Sequence, residues 1–586
     1  MTSGITLRKG KPSKIFYENL RNYYETVEGG SGYISFKRGQ WLNNPDIVVY
    51  TATADHAAAG WIIYNTKTST IEEILATEGW RGKEIEPKMV DTFIARENLI
   101  SMEVLKTDAG KYRWMVEYGF RPTRIINANG LSLRKLELST SVLQRKLAGV
   151  KPFRGYRKEE RVAIEKIPAA QTETDITKGL KNLIDNLGGL GKFVRKGQSV
   201  LIKPNLVSDH GMQGGVYKGG IVTDVRLVKA LVELLLPIAG KIVIAEGSSI
   251  NRSATRKMFT LYGYDGLVDI DPGKISLVDL NTDELVEKTV PGEKRMSSRK
   301  IPLTIENADV IINVPVLKIH FAAIVSLSVK SLQGVVPPLE KYMSHFFGLW
   351  QSLVNIHHLV KPDLIIIDGL TGLEDFGPVS GIQKKMDLLI GGTNPVAVDS
   401  VAMRVMGHDP LTSPPVWVAY MQGLGPVEPE KITVIGPAIH EVASQFKLPE
   451  INIGSGRDFI IHAGNACPGC RGYLHFVLSK LRKADPADES RSLIDRPFDK
   501  KVHIYLGPDT EGEIDPDATN IFMGICQQHN AGMGTHLPGC PPHAEVIMNG
   551  IFNLFPDVER PKYADETEEA KLEKMLKEVL QKTADS

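Results

Sequence analysis

The chain has 586 residues, of which 42% are hydrophobic and 24% charged, as expected of a globular protein with sizeable cores. Its 70 Lys and Arg against 69 Asp and Glu give a net charge of +1, which excludes the strong positive field of a nucleic-acid-binding protein. The sequence contains no run of roughly eighteen apolar residues that could span a membrane, and residues 1–10 lack the apolar core of a signal peptide. We therefore expect a cytoplasmic protein without a nucleic-acid partner or a membrane span.

Residues 1–145 are predicted to form a first domain of α+β type. Residues 46–53 and 59–65 have the pattern of two β-strands, and residues 86–96 have helical periodicity. Tyr118-Gly119-Phe120 follows where a last helix enters a strand. This order of elements and the Tyr-Gly-Phe motif resemble the GNAT-type acyltransferases. The resemblance implies a loop of the form R-x-x-G-x-G/A, whose backbone amides wrap the pyrophosphate of acyl-CoA at a helix N-terminus.

The corresponding loop of this chain departs from that pattern. Its sequence is Arg81-Gly-Lys-Glu84-Ile-Glu86, so glutamates stand at both positions where the family has glycine. They add side chains and two negative charges where a diphosphate would lie. We therefore expect this domain not to bind acetyl-CoA and to have a structural or docking role, with an active acyltransferase as the alternative.

A basic segment that contains Gly and Pro, residues 146–160, is predicted to link this domain to a central one at residues 161–455. In the central domain, short apolar runs alternate with helical patterns, as in α/β proteins with a mostly parallel sheet. The predicted strands lie at residues 200–205, 241–247, 309–314, 363–369 and 386–392, and two of the predicted helices lie at residues 224–235 and 394–403.

Several of these strands end in polar side chains. They are Lys203 and Asn205, Glu246, Asn313 and Asp368. Open α/β sheets bind ligands at the carboxyl ends of their strands. We therefore expect Lys203, Asn205, Glu246 and Asn313 to contact a substrate and Asp368 to belong to the catalytic group.

The segment that follows residue 313 supplies the remaining catalytic candidates. Lys318-Ile-His320 is predicted as a turn after a strand, and Lys330 follows an apolar stretch. The two lysines would hold the negative charge of an anionic substrate, and His320, with an ordinary pKa near neutrality, would supply protons. Asp399, inside a predicted helix, is as consistent with a structural role as with a functional one.

The central motifs also carry a family resemblance. Leu201-Ile-Lys-Pro-Asn, Ala245-Glu-Gly-Ser-Ser, Ile366-Ile-Asp-Gly and Ile390-Gly-Gly-Thr-Asn-Pro resemble the family catalogued as domain of unknown function 362, often labelled iron-sulfur centre proteins. The resemblance implies an association with iron-sulfur clusters and no defined reaction.

All four cysteines of the chain lie in a third predicted domain, residues 456–586. Cys467 and Cys470 form a C-x-x-C knuckle with an expected tight Pro-Gly turn, and Cys526 and Cys540 stand alone downstream. Four thiolates suit either a tetrahedral zinc ion or an iron-sulfur cube. Structural zinc commonly uses two short knuckles, so one knuckle completed by two separate cysteines favours the cube. Disulfides are disfavoured in the cytoplasm.

A second resemblance concerns this domain. Gly524-Ile-Cys526 and Leu537-Pro-Gly-Cys540-Pro-Pro, preceded by a strand at residues 502–507, resemble the cluster-binding half of the 20 kDa subunit of NADH:quinone oxidoreductases and of the hydrogenase small subunits. The resemblance implies a [4Fe-4S] cluster that passes single electrons. The adjacent cysteine pair of the respiratory subunit is absent here.

Together these features predict an α/β multidomain iron-sulfur oxidoreductase. It would couple electron transfer at the [4Fe-4S] cluster to the binding or reduction of a small anionic substrate, with an electron donor such as a ferredoxin. One alternative is a non-enzymatic electron carrier or assembly subunit, and another is an acyltransferase with a structural zinc site. An amphipathic helix predicted at residues 565–580 would form a surface helix or a contact between copies of a homo-oligomer.

Overall fold

The computed structural model divides the chain into two compact units. The first comprises residues 1–150, 292–294 and 526–532, and the second comprises residues 151–291, 295–525 and 533–586. The structure describes residues 5–10, 13–42, 44–54, 57–81, 85–94, 101–118, 120–138, 160–248, 255–290, 296, 298–360, 362–464, 466–508, 514–561 and 574. The predicted linker at residues 146–160, the loop residues 82–84 and the helix predicted at residues 565–580 therefore lie outside the described residues, except for Glu160 and Lys574.

The first unit has an α+β fold built on one twisted sheet. Its strands are β1 (Thr6–Gly10), β2 (Ile47–Ala54), β3 (Ala57–Asn65), β4 (Thr70–Ala76), β5 (Ser101–Leu105), β6 (Phe120–Ala128) and β7 (Leu131–Leu138), and its helices are α1 (Lys14–Tyr24), α2 (Gly30–Trp41), α3 (Ile85–Ile94) and α4 (Ala109–Tyr118). The strand order is β1-β2-β3-β4-β5-β7-β6, and neighbours are antiparallel except for the parallel pair β4 and β5. As predicted, a helix ends at Tyr118 and a strand begins at Phe120.

Side chains along β3 point alternately to the two faces of this sheet, and helices cover both faces. Tyr64 packs against Phe93 of α3, with ring centroids 4.9 Å apart. Trp61 points to the opposite face and packs against Phe16 of α1, at 5.7 Å. Because successive strand residues face opposite sides, one apolar strand can contribute to two cores.

The second unit contains the remaining strands and helices. The strands are β8 (Glu160–Lys166), β9 (Ser199–Pro204), β10 (Met212–Gln213), β11 (Val216–Tyr217), β12 (Lys241–Glu246), β13 (Ile275–Asp279), β14 (Leu285–Thr289), β15 (Ser298–Pro302), β16 (Val310–Val314), β17 (Val316–His320), β18 (Ile324–Val325), β19 (Leu364–Glu374), β20 (Ile382–Gly392), β21 (Ile432–Ile435), β22 (Phe459–His462), β23 (Ala484–Asp485), β24 (Asp488–Ser492), β25 (Val502–Leu506), β26 (Thr519–Met523) and β27 (Thr535–Leu537). The helices are α5 (Glu173–Asn186), α6 (Val225–Leu235), α7 (Thr255–Leu261), α8 (Asp265–Val268), α9 (Leu303–Glu306), α10 (Ser328–Ser331), α11 (Pro338–Phe347), α12 (Leu349–Ile356), α13 (Pro395–Val405), α14 (Pro414–Met421), α15 (Ile439–Val442), α16 (Pro468–Leu481) and α17 (Ala544–Phe552).

The central sheet is mostly parallel, as the sequence predicts. Its main order is β13-β12-β9-β16-β19-β20-β8-β21, with β17 beside β19, and β20 runs against its neighbours. Helices cover both faces. Val200 of β9 packs in the core beneath α5 and α6, whereas Leu201 packs on the opposite face with α12. The strands are therefore buried on both sides, which explains their continuous apolar sequences.

The C-terminal part of this unit adds a smaller parallel sheet. Its strand order is β22-β25-β26-β27. Helices α16 and α17 pack against it through side chains that include Leu474, Leu478, Ile547 and Ile551. No described helix is long and apolar enough to cross a membrane.

Two local predictions are wrong. Lys318 and His320 do not form a turn but lie in strand β17, because Leu317 and Ile319 alternate with them and pack into the core. The Pro-Gly pair after Cys467 is not a tight turn but the start of α16. Proline suits the first position of a helix because its φ is already helical and its missing N–H would have no partner there.

Gly472 fixes how closely α16 approaches the segment after β17. A Cβ at residue 472 would lie 2.6 Å from the carbonyl oxygen of Phe321 and 3.1 Å from Cα of Ala322. We expect Gly472→Ala to lower the free energy of unfolding by ~1–3 kcal/mol, because backbone must move to make room. Chemical denaturation of the full chain measures this change.

Gly266→Ala is the matched control, because a Cβ there would meet nothing within 4 Å. It should leave stability unchanged or raise it by a few tenths to ~1 kcal/mol. Equal stability of the two variants would contradict the tight approach of α16.

Candidate functional site

A cavity of about 600 Å³ lies in the second unit, at the carboxyl ends of β9 and β12. The central sheet contributes one wall, which includes Asn205, Glu246 and Lys318. Helix α16 contributes Tyr473 and Phe476 to the wall opposite. The cavity therefore lies between the central sheet and the helix that begins at the cysteine pair.

The structure brings together most of the residues that the sequence nominates. Asn205, Glu246, Lys318, His320 and Lys330 all line the cavity. The remaining nominated residues, Lys203, Asn313 and Asp368, are buried but are not part of its lining.

A buried ion pair stands at the base of the cavity. Nζ of Lys203 lies 3.0 Å from Oε2 of Glu246, and both side chains are almost fully buried. Lys203 also donates to the carbonyl of Pro204 at 3.2 Å. The second carboxylate oxygen of Glu246 accepts the N–H of Gly247 at 2.8 Å. This pairing neutralises Glu246, the only carboxylate among the described residues that line the cavity.

Lys318 is buried without such a carboxylate. Its Nζ donates to Oδ1 of Asn205 at 2.6 Å and to the carbonyl of Ile221 at 2.7 Å, and both acceptors are neutral. Burial and the positive charge of Lys330 lower the pKa of Lys318 well below its usual value. The amine is therefore much easier to deprotonate than an ordinary lysine.

His320 differs from its predicted role as a proton donor near neutrality. Burial, followed by repulsion from Lys330 and Lys318, lowers the pKa of His320 well below its usual value, so the ring is neutral at pH 7. Its Nδ1 accepts the N–H groups of Ala322 and Ala323 at 3.1 and 3.3 Å. An accepting Nδ1 places the ring hydrogen on Nε2. His320 is thus a neutral hydrogen-bond donor.

Three further lysines, Lys330, Lys341 and Lys480, also line the cavity. Lys330 is half-buried, and desolvation followed by the charge of Lys203 lowers its pKa to about 8. Lys341 of α11 donates to Gly247 O, Ser248 O and Asn281 Oδ1, at 2.9, 3.0 and 2.7 Å. The sequence analysis missed Lys341, because no motif marks it and only tertiary packing carries α11 to the loop after β12.

The remaining candidates have structural contacts. Asn313 accepts from Ser331 Oγ at 2.9 Å. Asp368 accepts the backbone N–H groups of Asp224 and Leu370 and lies outside the lining of the cavity. The carboxylate of Asp399 accepts the N–H groups of residues 328 and 329 at the start of α10, at 2.8 and 2.9 Å. For Asp399 the structural alternative accounts for these contacts.

The cysteine pair stands at the N-terminus of α16. Cys467 is the exposed residue that precedes the first turn, and Cys470 is buried within that turn. Partial positive charge at a helix N-terminus stabilises thiolates. None of the four cysteines, all within the described residues, forms a disulfide.

Glycine residues allow the backbone to pass close to these cysteines. A Cβ at Gly524, where φ is +89°, would lie 3.5 Å from Sγ of Cys470 and 3.4 Å from the carbonyl oxygen of Gly539. The segment 539–542 is held beside α11 and α12, because Cys540 N–H donates to His345 O at 2.7 Å and Leu349 N–H donates to Cys540 O at 2.8 Å. The backbone near Cys470 and the backbone near Cys540 therefore approach each other closely, with glycines at the point of approach.

This donor chemistry fits an iron-sulfur cluster, which needs thiolates and close backbone N–H groups. Cys526 directly follows Ile525, whose N–H donates to Gly539 O at 2.9 Å. Cys526 itself belongs to the segment grouped with the first unit. Within the described parts of the chain, no three His, Cys, Asp or Glu side chains are gathered closely enough to bind a single metal ion.

Aromatic side chains of helix α16 and of the segment after β17 pack together at the cavity. Tyr473 follows Cys470 by one helical turn, an axial rise of about 4.5 Å. Its ring centroid lies 5.3 Å from that of Phe321, and Phe321 stacks on His320 at 5.0 Å. Three rings of the cavity lining, those of Tyr473, Phe321 and His320, therefore pack against one another in series.

Lys318→Met tests the buried amine through the pH dependence of stability. A lysine with a lowered folded pKa binds fewer protons when folded than when unfolded, so stability rises with pH between the folded pKa and ~10.4. In that window we expect the free energy of unfolding of the wild type to rise by on the order of 1 kcal/mol per pH unit more than that of the variant.

Urea unfolding of both proteins at pH about 7 and about 9 measures the difference. Lys203, Glu246 and Lys330 are present in both proteins, so their contributions largely cancel. Equal pH slopes would mean that Lys318 is protonated in the folded protein.

Part of the second unit matches a known protein family. Residues 200–404 match the family described as "Domain of unknown function (DUF362)", which confirms the predicted resemblance over that range. The chain is also similar to the thylakoid-associated protein sll1697 of Synechocystis sp., with 29% identity over 282 residues, or 46% of this chain and 83% of that protein.

Solved structures of GNAT-family proteins are also similar to part of the chain. A putative acetyltransferase from Desulfovibrio desulfuricans has 12% identity and a TM-score of 0.19, and covers 23% of this chain and 98% of its own. An acetyltransferase from Elizabethkingia anophelis with acetyl-CoA bound has 18% identity and a TM-score of 0.18, and covers 23% of this chain and 99% of its own. The family match at residues 200–404 contains Lys318, Lys330 and Lys341 of the cavity, whereas Lys480 of the lining lies outside it.

Proposed function

We propose that this chain is an iron-sulfur oxidoreductase that binds or reduces a small anionic substrate in the cavity of the second unit. The observation that carries the proposal is the cationic cavity beside the helix that starts at Cys467 and Cys470. Lys318, Lys330 and Lys341 line it, and its one described carboxylate is already paired with Lys203.

The charge balance supports an anionic ligand. A carboxylate or phosphate entering this site would gain a charge-assisted hydrogen bond from Lys330, whose described hydrogen bond is to the neutral Oε1 of Gln333. Such bonds are stronger in a buried site than in water. His320 would add a neutral donor through Nε2–H, which can bind a substrate oxygen without changing its charge.

Cys467, Cys470, Cys526 and Cys540 would hold the [4Fe-4S] cluster, which supplies single electrons when bound. The bare backbone at Gly524 and the helix N-terminus at Cys467 support this ligand set. Tyr473 and Phe321 would exclude water from the space between the cysteines at the start of α16 and the cavity. These rings would also position a flat substrate against the lysines.

Lys330 is the residue best suited to transfer a proton. A general acid works best when its pKa is close to the working pH, and the pKa of Lys330 is about 8. At neutral pH its ammonium would both hold the substrate anion and donate a proton to it. His320, whose pKa is too low, would orient the substrate instead.

Metal analysis tests the cluster. We expect about four iron and four sulfide per chain after anaerobic purification, with the brown colour and paramagnetic resonance of a reduced [4Fe-4S] cluster. Cys467→Ser and Cys540→Ser should each lose most of the iron, because a thiolate ligand is missing. One zinc per chain would contradict the proposal. So would full iron content in each of the four variants in which a single cysteine is replaced by serine.

Calorimetry tests the anion site. Benzoate and pyruvate serve as probes, since each carries one carboxylate and fits a cavity of this size. Lys330→Gln should weaken their binding tenfold or more, because a hydrogen bond to a charged group contributes about 1.5–3 kcal/mol.

Lys181→Gln is the control, since Lys181 is an exposed residue of α5 paired with Asp185. It should bind both probes as the wild type does. Equal affinities of the wild type and the Lys330 variant would contradict an anion site at this position.

A further inference from the structure

The lysines of the cavity differ in how their nitrogens are bound. Lys203 contacts Glu246, Pro204 O and Ser331 Oγ, which suits a charged ammonium with three N–H donors. Lys341 likewise donates to three oxygens. Both residues are therefore satisfied as cations.

Lys318 has a different arrangement. Two oxygens, Oδ1 of Asn205 and the carbonyl of Ile221, accept from its Nζ at 2.6 and 2.7 Å. A neutral amine has two N–H groups and one lone pair. If these two acceptors take both hydrogens, the lone pair occupies the remaining tetrahedral direction, and the residue lines the cavity. The two contacts also hold the long side chain in one conformation.

We propose that Lys318 is a nucleophile that forms an imine with the carbonyl group of a small 2-oxo acid bound in this cavity. The inference rests on the anion site of the proposed function, to which it adds a covalent step and a substrate class. It does not require the cluster.

The step balances without an oxidant or a reductant. The Nζ lone pair forms a bond to the carbonyl carbon, and the carbonyl oxygen takes the two amine hydrogens and leaves as water. The product is a C=N bond between substrate and Lys318. Uptake of one proton at the imine nitrogen gives the iminium form, whose new N–H can donate to Asn205 Oδ1.

The neighbouring groups are suited to this reaction. Burial and the charge of Lys330 lower the pKa of Lys318, which increases the fraction of neutral amine at pH 7. Lys330 would bind the carboxylate of the 2-oxo acid, because it is cationic at that pH. Nε2–H of His320 would donate to the carbonyl oxygen as negative charge develops there.

Lys330 is the competing nucleophile, since its pKa is also lowered. Its one described hydrogen bond is to Gln333 Oε1 at 3.3 Å, and it is half-buried. It is therefore less well oriented than Lys318, which has two short bonds. The structure thus favours Lys318 for bond formation and Lys330 for binding the carboxylate.

Reductive trapping of the full chain tests the inference. The protein is incubated at pH about 7 with pyruvate and sodium cyanoborohydride, and its mass is measured intact and after proteolysis. We expect one reduced pyruvyl adduct per chain, located at Lys318 and formed at least tenfold faster than adducts at exposed lysines. Exposed lysines are slow because only on the order of one in a thousand is neutral at this pH.

Two variants complete the experiment. Lys318→Arg keeps a cation but cannot form an imine, so it should lose the adduct. Lys181→Arg should keep it. An adduct on the wild type at Lys330 or only at exposed lysines would overturn the assignment, and this result does not depend on whether a variant folds.

The anion site and the imine can fail separately. Pyruvate that binds by calorimetry but is never trapped at Lys318 would overturn the imine and leave the anion site standing. If neither benzoate nor pyruvate binds and no adduct forms at Lys318, both the anion site and the imine are refuted.

Discussion

The ion pair between Lys203 and Glu246 is the interaction on which the cavity depends. The two residues end adjacent parallel strands, and their 3.0 Å contact joins those ends where ligands bind in open sheets. Glu246 also accepts from the N–H groups of Leu206 and Gly247, so one carboxylate fixes both following loops. Loss of either partner would leave a buried charge, at a cost of about 3–5 kcal/mol. Gly334 is required here, because a Cβ at that position would collide with Oε1 of Glu246.

The pairing determines the electrostatics of the rest of the site. Since Lys203 occupies the carboxylate of Glu246, Lys318 and Lys330 share a buried space without a described carboxylate of their own in the lining. Desolvation, followed by the charge of Lys330, lowers the pKa of Lys318, and desolvation, followed by the charge of Lys203, lowers the pKa of Lys330. An amine that is easily deprotonated and a cation close to its pKa are both useful in catalysis. The same imbalance of charge that costs folding energy thus favours an anionic ligand.

The sequence predicts the sheet and part of the site for clear physical reasons. Continuous apolar runs mark strands buried on both faces, and the rule for strand ends selects Asn205 and Glu246, which line the cavity. The alternation of Leu317 and Ile319 with Lys318 and His320 is a strand signal that the turn prediction overlooked.

Other features depend on tertiary contacts that no local pattern reports. Asp368 has the same signal as Glu246, a carboxylate at a strand end, yet the backbone of Asp224 and Leu370 occupies it. Lys341 enters the site only because α11 packs beside the loop after β12. The low pKa of His320 follows from burial and from the charge of Lys330, which the fold brings close to it, and then from Lys318 on the same strand.

The nature of the hydrogen-bond acceptors separates two lysines that are equally buried. Lys203 faces a carboxylate, which stabilises its ammonium form, whereas Lys318 faces an amide oxygen and a carbonyl oxygen, which orient the amine without adding negative charge. A substrate carboxylate placed directly against Lys318 would raise its pKa and remove the lone pair that a covalent step needs. In the proposed reaction the substrate carboxylate would therefore bind at Lys330, so that Lys318 meets only the neutral carbonyl group. A 2-oxo acid, whose carboxylate and carbonyl are adjacent, satisfies both requirements with one small molecule.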